Sequence, residues 1–273
     1  MTRRLVSGTT LVAVVVALIA ALVARAWLRV RLLQVGISSN LAADMSYLVV
    51  IPVLVLLLFP LWRTEKPFLI DKFRGTDLTW RVAARALAIG LLLRLLWWSQ
   101  VIAGVSFGFY RSDDSDAIVG PIFSFNCVAL DGVILGLFVM AFLVPIIEEV
   151  IHRGYIVSAL RHRGLVISVI LSALIFMIMH RYSSWPFVFF AGLVFGLQYF
   201  TTQSLWPSLI SHATVNGLIQ LDWRCLSGHW NPVTADLPLV VPGLIATSTL
   251  IAGLAALVIL LRQTATGARK APR

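Results

Sequence analysis

Residues 127–153 read CVALDGVILGLFVMAFLVPIIEEVIHR: about twenty largely apolar positions that run without a break into two glutamates, a histidine and an arginine. An apolar stretch of this length crosses a hydrocarbon core of ~30 Å at ~1.5 Å per residue. Inside lipid every backbone N–H and C=O must bond within its own segment, so the stretch must be a helix. The same reading extends outward along the chain. Spans are expected at about 5–24, 45–62, 84–109, 127–147, 164–180, 185–201, 205–222 and 239–261, which makes an all-α, polytopic transmembrane helix bundle of about eight spans. Composition excludes a soluble globular domain: of 273 residues 59% are hydrophobic and 12% charged, against roughly 25% charged in an average soluble domain.

The formal net charge of +10 does not point to nucleic acid, because the basic residues are spread over short connections and tails rather than gathered on one face. It fits the lipid bilayer as partner and orientation by the positive-inside rule. Arg3 and Arg4, the 63–85 segment (Arg63, Lys66, Lys72, Arg74, Arg81, Arg85), the 148–163 segment (Arg153, Arg161, Arg163) and the tail (Arg269, Lys270, Arg273) fall on one side if eight spans alternate. Both termini are then cytoplasmic. Arg25, Arg29 and Arg31 break the pattern and imply an interfacial helix or a different first turn. The first span resembles a signal peptide, but ~20 apolar residues exceed the usual core of 7–15, and it is read as retained. The acidic Asp113, Asp114 and Asp116 lie opposite the basic segments, with Cys127 and Cys225, for which a disulfide and two free thiols both stay open. No internal repeat is visible, and Gly192 and Gly196 form a Gly-x-x-x-Gly suited to close helix packing.

Charge at membrane depth costs about 2.5–3.5 kcal/mol per group on insertion scales, so it needs a reason. Glu149 and Arg153 are i,i+4 neighbours, the spacing of a helical ion pair, whereas Glu148 projects about 100° away. Glu148, beside a like charge and without that partner, is the better placed of the two for general base or acid work. Phe176 to His180 and His212 to Asn216 repeat the spacing of four, so each pair shares a helix face. Two histidines, an asparagine and the Glu-Glu-Arg cluster lower one another's cost only by meeting in one cavity. From spacing alone, a catalytic centre and a structural polar knot locking three helices are equally compatible.

Glu148-Glu149 with Arg153-Gly154, Phe176 with His180, and His212 with Asn216, in that order, resemble the CPBP family of intramembrane proteases, which takes in CAAX prenyl endopeptidases and bacteriocin-processing or self-immunity proteins. The resemblance covers roughly residues 125–225. It divides the chain into N-terminal transmembrane helices of unassigned role (1–124), a protease core (125–225) and a C-terminal helix with basic tail (226–273). His152 departs from the family, which commonly carries an aromatic residue there; i,i+4 from Glu148, it could touch that carboxylate or simply fill packing space.

The resemblance implies an intramembrane endopeptidase that hydrolyses a membrane-anchored protein or peptide with a glutamate-activated water. Glu148 would be the base, His180 would hold the water, His212 and Asn216 would donate to the oxyanion, and Arg153 would fix Glu149, which could share the proton work. No cofactor is expected. Zinc held by Glu148, His180 and His212 is the alternative, although no His-Glu-x-x-His is present. A non-catalytic immunity or partner-binding protein of the same fold is the competing reading, and a transporter gains little without repeated halves. Arg94, beside Trp97 and Trp98, would meet a substrate carboxylate, pair locally or snorkel.

Overall fold

The computed structural model describes residues 8–74, 78–109, 130–180, 184–220 and 240–270. Cys127, Cys225 and the acidic stretch at 113–116 lie outside them. Among the described residues every regular element is a helix: α1 (Gly8–Gln34), α2 (Ser39–Tyr47), α3 (Val50–Arg74), α4 (Trp80–Ser106), α5 (residues 130–163), α6 (Leu165–Ile178), α7 (Trp185–Thr202), α8 (Leu205–Gln220) and α9 (Val240–Lys270). Six stretches among the described residues are long and apolar enough to cross a membrane: Thr9–Gln34, Leu41–Leu61, Trp80–Gly104, Val133–Arg163, Trp185–Thr202 and Gly243–Ala265. The protein is a polytopic all-α membrane bundle. Two expected spans, at 164–180 and 205–222, correspond to the shorter α6 and α8, of 14 and 16 residues.

Three helices run past the expected ends of their spans. α1 continues to Gln34 and carries Arg25, Arg29 and Arg31 on its last turns, α3 continues to Arg74, and residues 148–163 prolong α5. Arg153, counted among the charges of a basic connection, is completely buried. The physical reason is common to all three. A charge ends a run of hydropathy but not a hydrogen-bond ladder, so a helix continues wherever its charges find partners or reach the interface.

α5 is not a regular α-helix. Leu137–Leu143 and Val150–Val157 are wound as π-turns, on either side of an α-helical Val144–Glu149. Pro145 accounts for the first. The Val144 N–H bonds back to the Val139 carbonyl, one residue farther than an α-helix would reach. In that register the next donor, for the Met140 carbonyl, would be residue 145, and proline has no N–H. The orphaned Met140 carbonyl is taken by Asn216 of α8, whose Nδ2 donates to it at 2.8 Å.

Packing around α5 comes from both ends of the chain. Val14, Leu18 and Ala21 of α1 and Val50 and Leu54 of α3 form one buried cluster with Ile151, Tyr155 and Ile156. α4, α7, α8 and α9 form another around Ile89, Leu93, Phe195 and Leu257. Gly192 and Gly196 of α7 lie against α6: a Cβ on Gly192 would sit 3.2 Å from Ala173, and one on Gly196 would sit 3.2 Å from Val169. Their spacing thus serves close helix approach. Tight turns join the central helices. Gly164, at φ +90°, separates α5 from α6, and Gln203, at φ 57°, ends α7 with its side chain donating to the Phe200 carbonyl at 2.7 Å. Outward faces carry large aliphatics such as Val16, Val23, Leu56 and Ile251, as a lipid-facing surface requires.

Candidate active site

Glu149 is 1% exposed and forms an ion pair with Arg153, whose Nη1 lies 3.1 Å from Glu149 Oε1. The i,i+4 pair expected from the sequence therefore forms inside the widened Val150–Val157 turn. Arg153 also donates through Nη2 to the Gly192 carbonyl at 3.3 Å, and its guanidinium lies 4.7 Å and 5.4 Å from the ring centres of Phe176 and Phe195. Removing two charges from water is offset only by close and well-placed partners. Here a carboxylate, a carbonyl and two aromatic rings surround the guanidinium.

His212, from α8, stands between the two glutamates. Its Nδ1 is 2.9 Å from Glu149 Oε1 and its Nε2 is 3.5 Å from Glu148 Oε2. A carboxylate oxygen can only accept from an imidazole nitrogen, so Nδ1 carries the proton toward Glu149 and Nε2 is the atom that faces Glu148. The imidazole stacks on Phe195, with centroids 4.9 Å apart and planes at 18°, and meets the edge of Phe176 at 5.7 Å and 90°. Its orientation is fixed on both faces.

Glu148 is the more open carboxylate, 14% exposed against 1% for Glu149. Its Oε2 is shielded from solvent yet accepts no hydrogen bond among the described residues. His180 lies just beyond the end of α6, with Nδ1 2.7 Å from the Phe176 carbonyl and its ring 4.6 Å from that of Phe176. Asn216, one turn past His212, is held by the Met140 carbonyl as described above. Of the two alternatives for His152, packing rather than a contact with Glu148 is the one found. His152 is buried, packs edge-on against Phe176 at 5.1 Å, and so fills an aromatic residue's place, because the wider turn rotates it out of the α-helical i,i+4 position. Arg94 of α4 lies 5.1 Å over Trp98, and Trp97 packs on Phe187.

Phe176 is thus the hub of the site, in contact with His152, Arg153, His180 and His212. Sequence spacing used it only as a marker four residues before His180. Phe195, Ser172 and the Gly192 carbonyl had no signal at all. Ser172 donates to the His152 carbonyl at 3.3 Å, and Ser158 donates to that of Arg153 at 3.3 Å. Hydroxyls therefore satisfy carbonyls in the widened turn. Pro145 could have announced the distortion, since a proline inside an apolar span leaves a carbonyl needing a donor from elsewhere.

A polytopic bundle whose most irregular helix buries a Glu-Arg pair against a histidine of another helix belongs with membrane proteins built for polar chemistry rather than for simple anchoring. Residues 130–218, from the start of α5 nearly to the end of α8, match the family model described as type II CAAX prenyl endopeptidase Rce1-like. Over this segment, about a third of the chain, the protein is similar to that family, in agreement with the CPBP resemblance carried by its motifs. No curated protein and no solved structure matches the chain.

Proposed function

We propose that the protein is an intramembrane endopeptidase in which Glu148 activates the hydrolytic water. The observation that carries this is the Glu148 carboxylate itself: outside the Arg153 pair, partly open, with a shielded oxygen that accepts no hydrogen bond. A buried anionic oxygen left so costs about 1–3 kcal/mol or more, and the hydrogen of a nucleophilic water is the natural donor to it. Glu148 takes the proton of that water as the oxygen attacks the scissile carbonyl. His212 Nε2, 3.5 Å away, can receive the proton and return it to the leaving amine. Glu149, neutralised by Arg153, holds His212 in the tautomer this transfer needs, which is positioning work. His180 Nε2 steadies the water, its Nδ1 being occupied by the Phe176 carbonyl. Asn216 keeps a second N–H beyond the one given to Met140 and supplies a donor for the oxyanion, which His212 Nε2 joins once it has received the proton.

The zinc alternative requires Glu148, His180 and His212 to converge as ligands. Among the described residues no three His, Cys, Asp or Glu side chains are grouped as a metal site requires, and both His212 nitrogens already face carboxylates. This favours the metal-free reading over zinc. Substrate is a membrane-anchored protein or peptide, and the bilayer is the site of action, with both termini cytoplasmic in a bacterial inner membrane.

Comparative mass spectrometry of membrane-protein termini, with and without Glu148→Ala at equal protein level, tests the reading. New termini that depend on Glu148 and persist after exhaustive chelation are expected. Identical termini in both samples would leave the non-catalytic partner-binding reading in place, and activity lost on chelation and restored by metal would overturn the metal-free mechanism.

A further inference from the structure

Arg25 lies on α1, well outside the family-matched segment, and the positive-inside pattern gave it no role. Its Cζ sits 3.4 Å from the centre of the Tyr47 ring on α2. At that distance the guanidinium must lie parallel to the ring, since any steep tilt would drive a nitrogen into it. A stacked guanidinium keeps all five N–H donors in its own plane, pointing outward and not consumed by the aromatic contact. Among the described residues no carboxylate forms a salt bridge with Arg25. Asp44 attracts Arg25 without forming a salt bridge to it, and its Oδ2 lies where it would meet a Cβ on Gly136, close to Gln220 Oε1.

The pair stands beside the reaction centre. Tyr47 packs in the same cluster as Ile147, Val150 and Ile151, which bracket Glu148. Arg25 is attracted by the Glu148 charge, and the strongest charged neighbour of the Tyr47 hydroxyl is likewise Glu148. A guanidinium held half-buried at membrane depth without a paired anion is expensive, and its planar fork suits a carboxylate in two-pronged fashion. Arg153 already shows what a buried arginine in this protein does when it has a partner.

From this juxtaposition we infer that Arg25, stacked on Tyr47 beside Glu148, is a binding site for a carboxylate of the substrate, either its C-terminal carboxylate or an acidic side chain near the cut. The inference rests on the peptidase reading for its place in catalysis, not for the binding itself. It assigns the N-terminal helices to recognition: α1 and α2 supply the cation that holds the substrate, and α5 to α8 supply the chemistry.

The full chain in lipid nanodiscs is given two pools of N-terminally palmitoylated random-sequence peptides, identical except that one ends in a free carboxylate and the other in a carboxamide. The wild type is expected to cleave the carboxylate pool about tenfold faster or more, the yield of a charge-assisted pair, and Arg25→Gln to bring the ratio near one. Arg25→Lys keeps a charge for folding but loses the fork, and should lower the ratio by about threefold or more. If the two pools are cut alike but the cleaved peptides are enriched in Asp or Glu at a fixed distance from the cut, and both variants lose that enrichment, the recognised group is a side chain. A ratio near one without acidic enrichment, or a preference that survives both variants, overturns the inference. Capture of the same pools by the Glu148→Ala protein separates the two readings. Selective capture of the carboxylate pool that depends on Arg25, with no cleavage by wild type, upholds the subsite and defeats the peptidase. Equal capture of both pools without acidic enrichment defeats the subsite.

Discussion

α9 and the Val133–Arg163 stretch of α5 are each 31 residues long and rich in aliphatics, yet they solve the membrane problem in opposite ways. In α9 the polar side chains stay at home: Thr247, Thr249 and Thr264 each donate to the carbonyl four residues back, at 2.8–2.9 Å. The helix is regular, one carbonyl near its end, that of Gln263, accepts from Arg85 of α4 at 3.2 Å, and the outer face is left to lipid. In α5 two turns are wound too wide, and the polar groups there are met by neighbours: Met140 by Asn216 of α8, His152 by Ser172 of α6, and Arg153 by the Gly192 carbonyl of α7. Irregular backbone and buried charge are thus tolerated in lipid only where other helices supply the missing partners. Those partners also make the site rigid.

The largest effect is expected from Arg153→Met. It leaves Glu149 buried without its counter-charge, at a cost of about 3–5 kcal/mol, enough to lower the melting temperature in detergent steeply or prevent folding. The double variant Glu149→Gln/Arg153→Met removes both charges and should recover much of that loss. Ile251→Ala, on the lipid face of α9 and 65% exposed, should leave melting nearly unchanged. If Arg153→Met melted like Ile251→Ala, the account of α5 as a helix held by its buried partners would fall.

Adjacent carboxylates give a finer contrast. Glu148→Gln should reduce cleavage about 10²- to 10⁴-fold, the range of a lost general base, with melting close to wild type. Glu149→Gln should lose activity and stability together, because Arg153 and His212 both lean on it. Thermal melting of each variant, read beside cleavage of a membrane-anchored reporter, separates catalyst from scaffold; a matching pair of profiles would erase the distinction drawn between the two residues.

Gly192→Ala is next in size. Its Cβ would meet Ala173 backbone at 3.2 Å and Phe176 at 3.3 Å, forcing α6 and α7 apart and turning the ring that braces Arg153, His180 and His212. Overpacking of this kind costs about 1–3 kcal/mol, and activity should fall with it. Gly196→Ala meets the Val169 Cγ1 methyl at 3.2 Å, which can move more easily, so its effect should be the smaller one. Equal effects on activity would mean that Phe176 does not brace the site.

The apolar spans and the Glu149–Arg153 pair were legible in the sequence because they depend on local quantities: hydropathy over ~20 residues and a spacing of four along one helix. The three motifs were legible as types and order. The hub role of Phe176 was not, because it arises from four side chains on three helices meeting one ring. The stacking of Arg25 on Tyr47 was hidden for a related reason. Counting basic residues as loop markers assigns each charge to an aqueous connection, and a stacked arginine on a helix end breaks that assumption without leaving any trace in composition. The widened turns were half-legible. Pro145 shows that a carbonyl must go unmet, but the donor that meets it is 76 residues from Met140.

That donor gives the smallest and most specific effect. Asn216→Ala leaves the partly buried Met140 carbonyl without its protein partner, at a cost of about 1–3 kcal/mol. In a Pro145→Ala background residue 145 regains its N–H, which can bond to Met140 in the widened register or to Ala141 in a regular one. The asparagine then has less to do. Asn216→Ala should therefore cost distinctly less stability in that background than in the wild type, with a coupling of about 1 kcal/mol by melting of the four proteins of the cycle. Strict additivity would show that Asn216 does not answer for the proline, and the link between the kink in α5 and the packing of α8 would have to be sought in another contact.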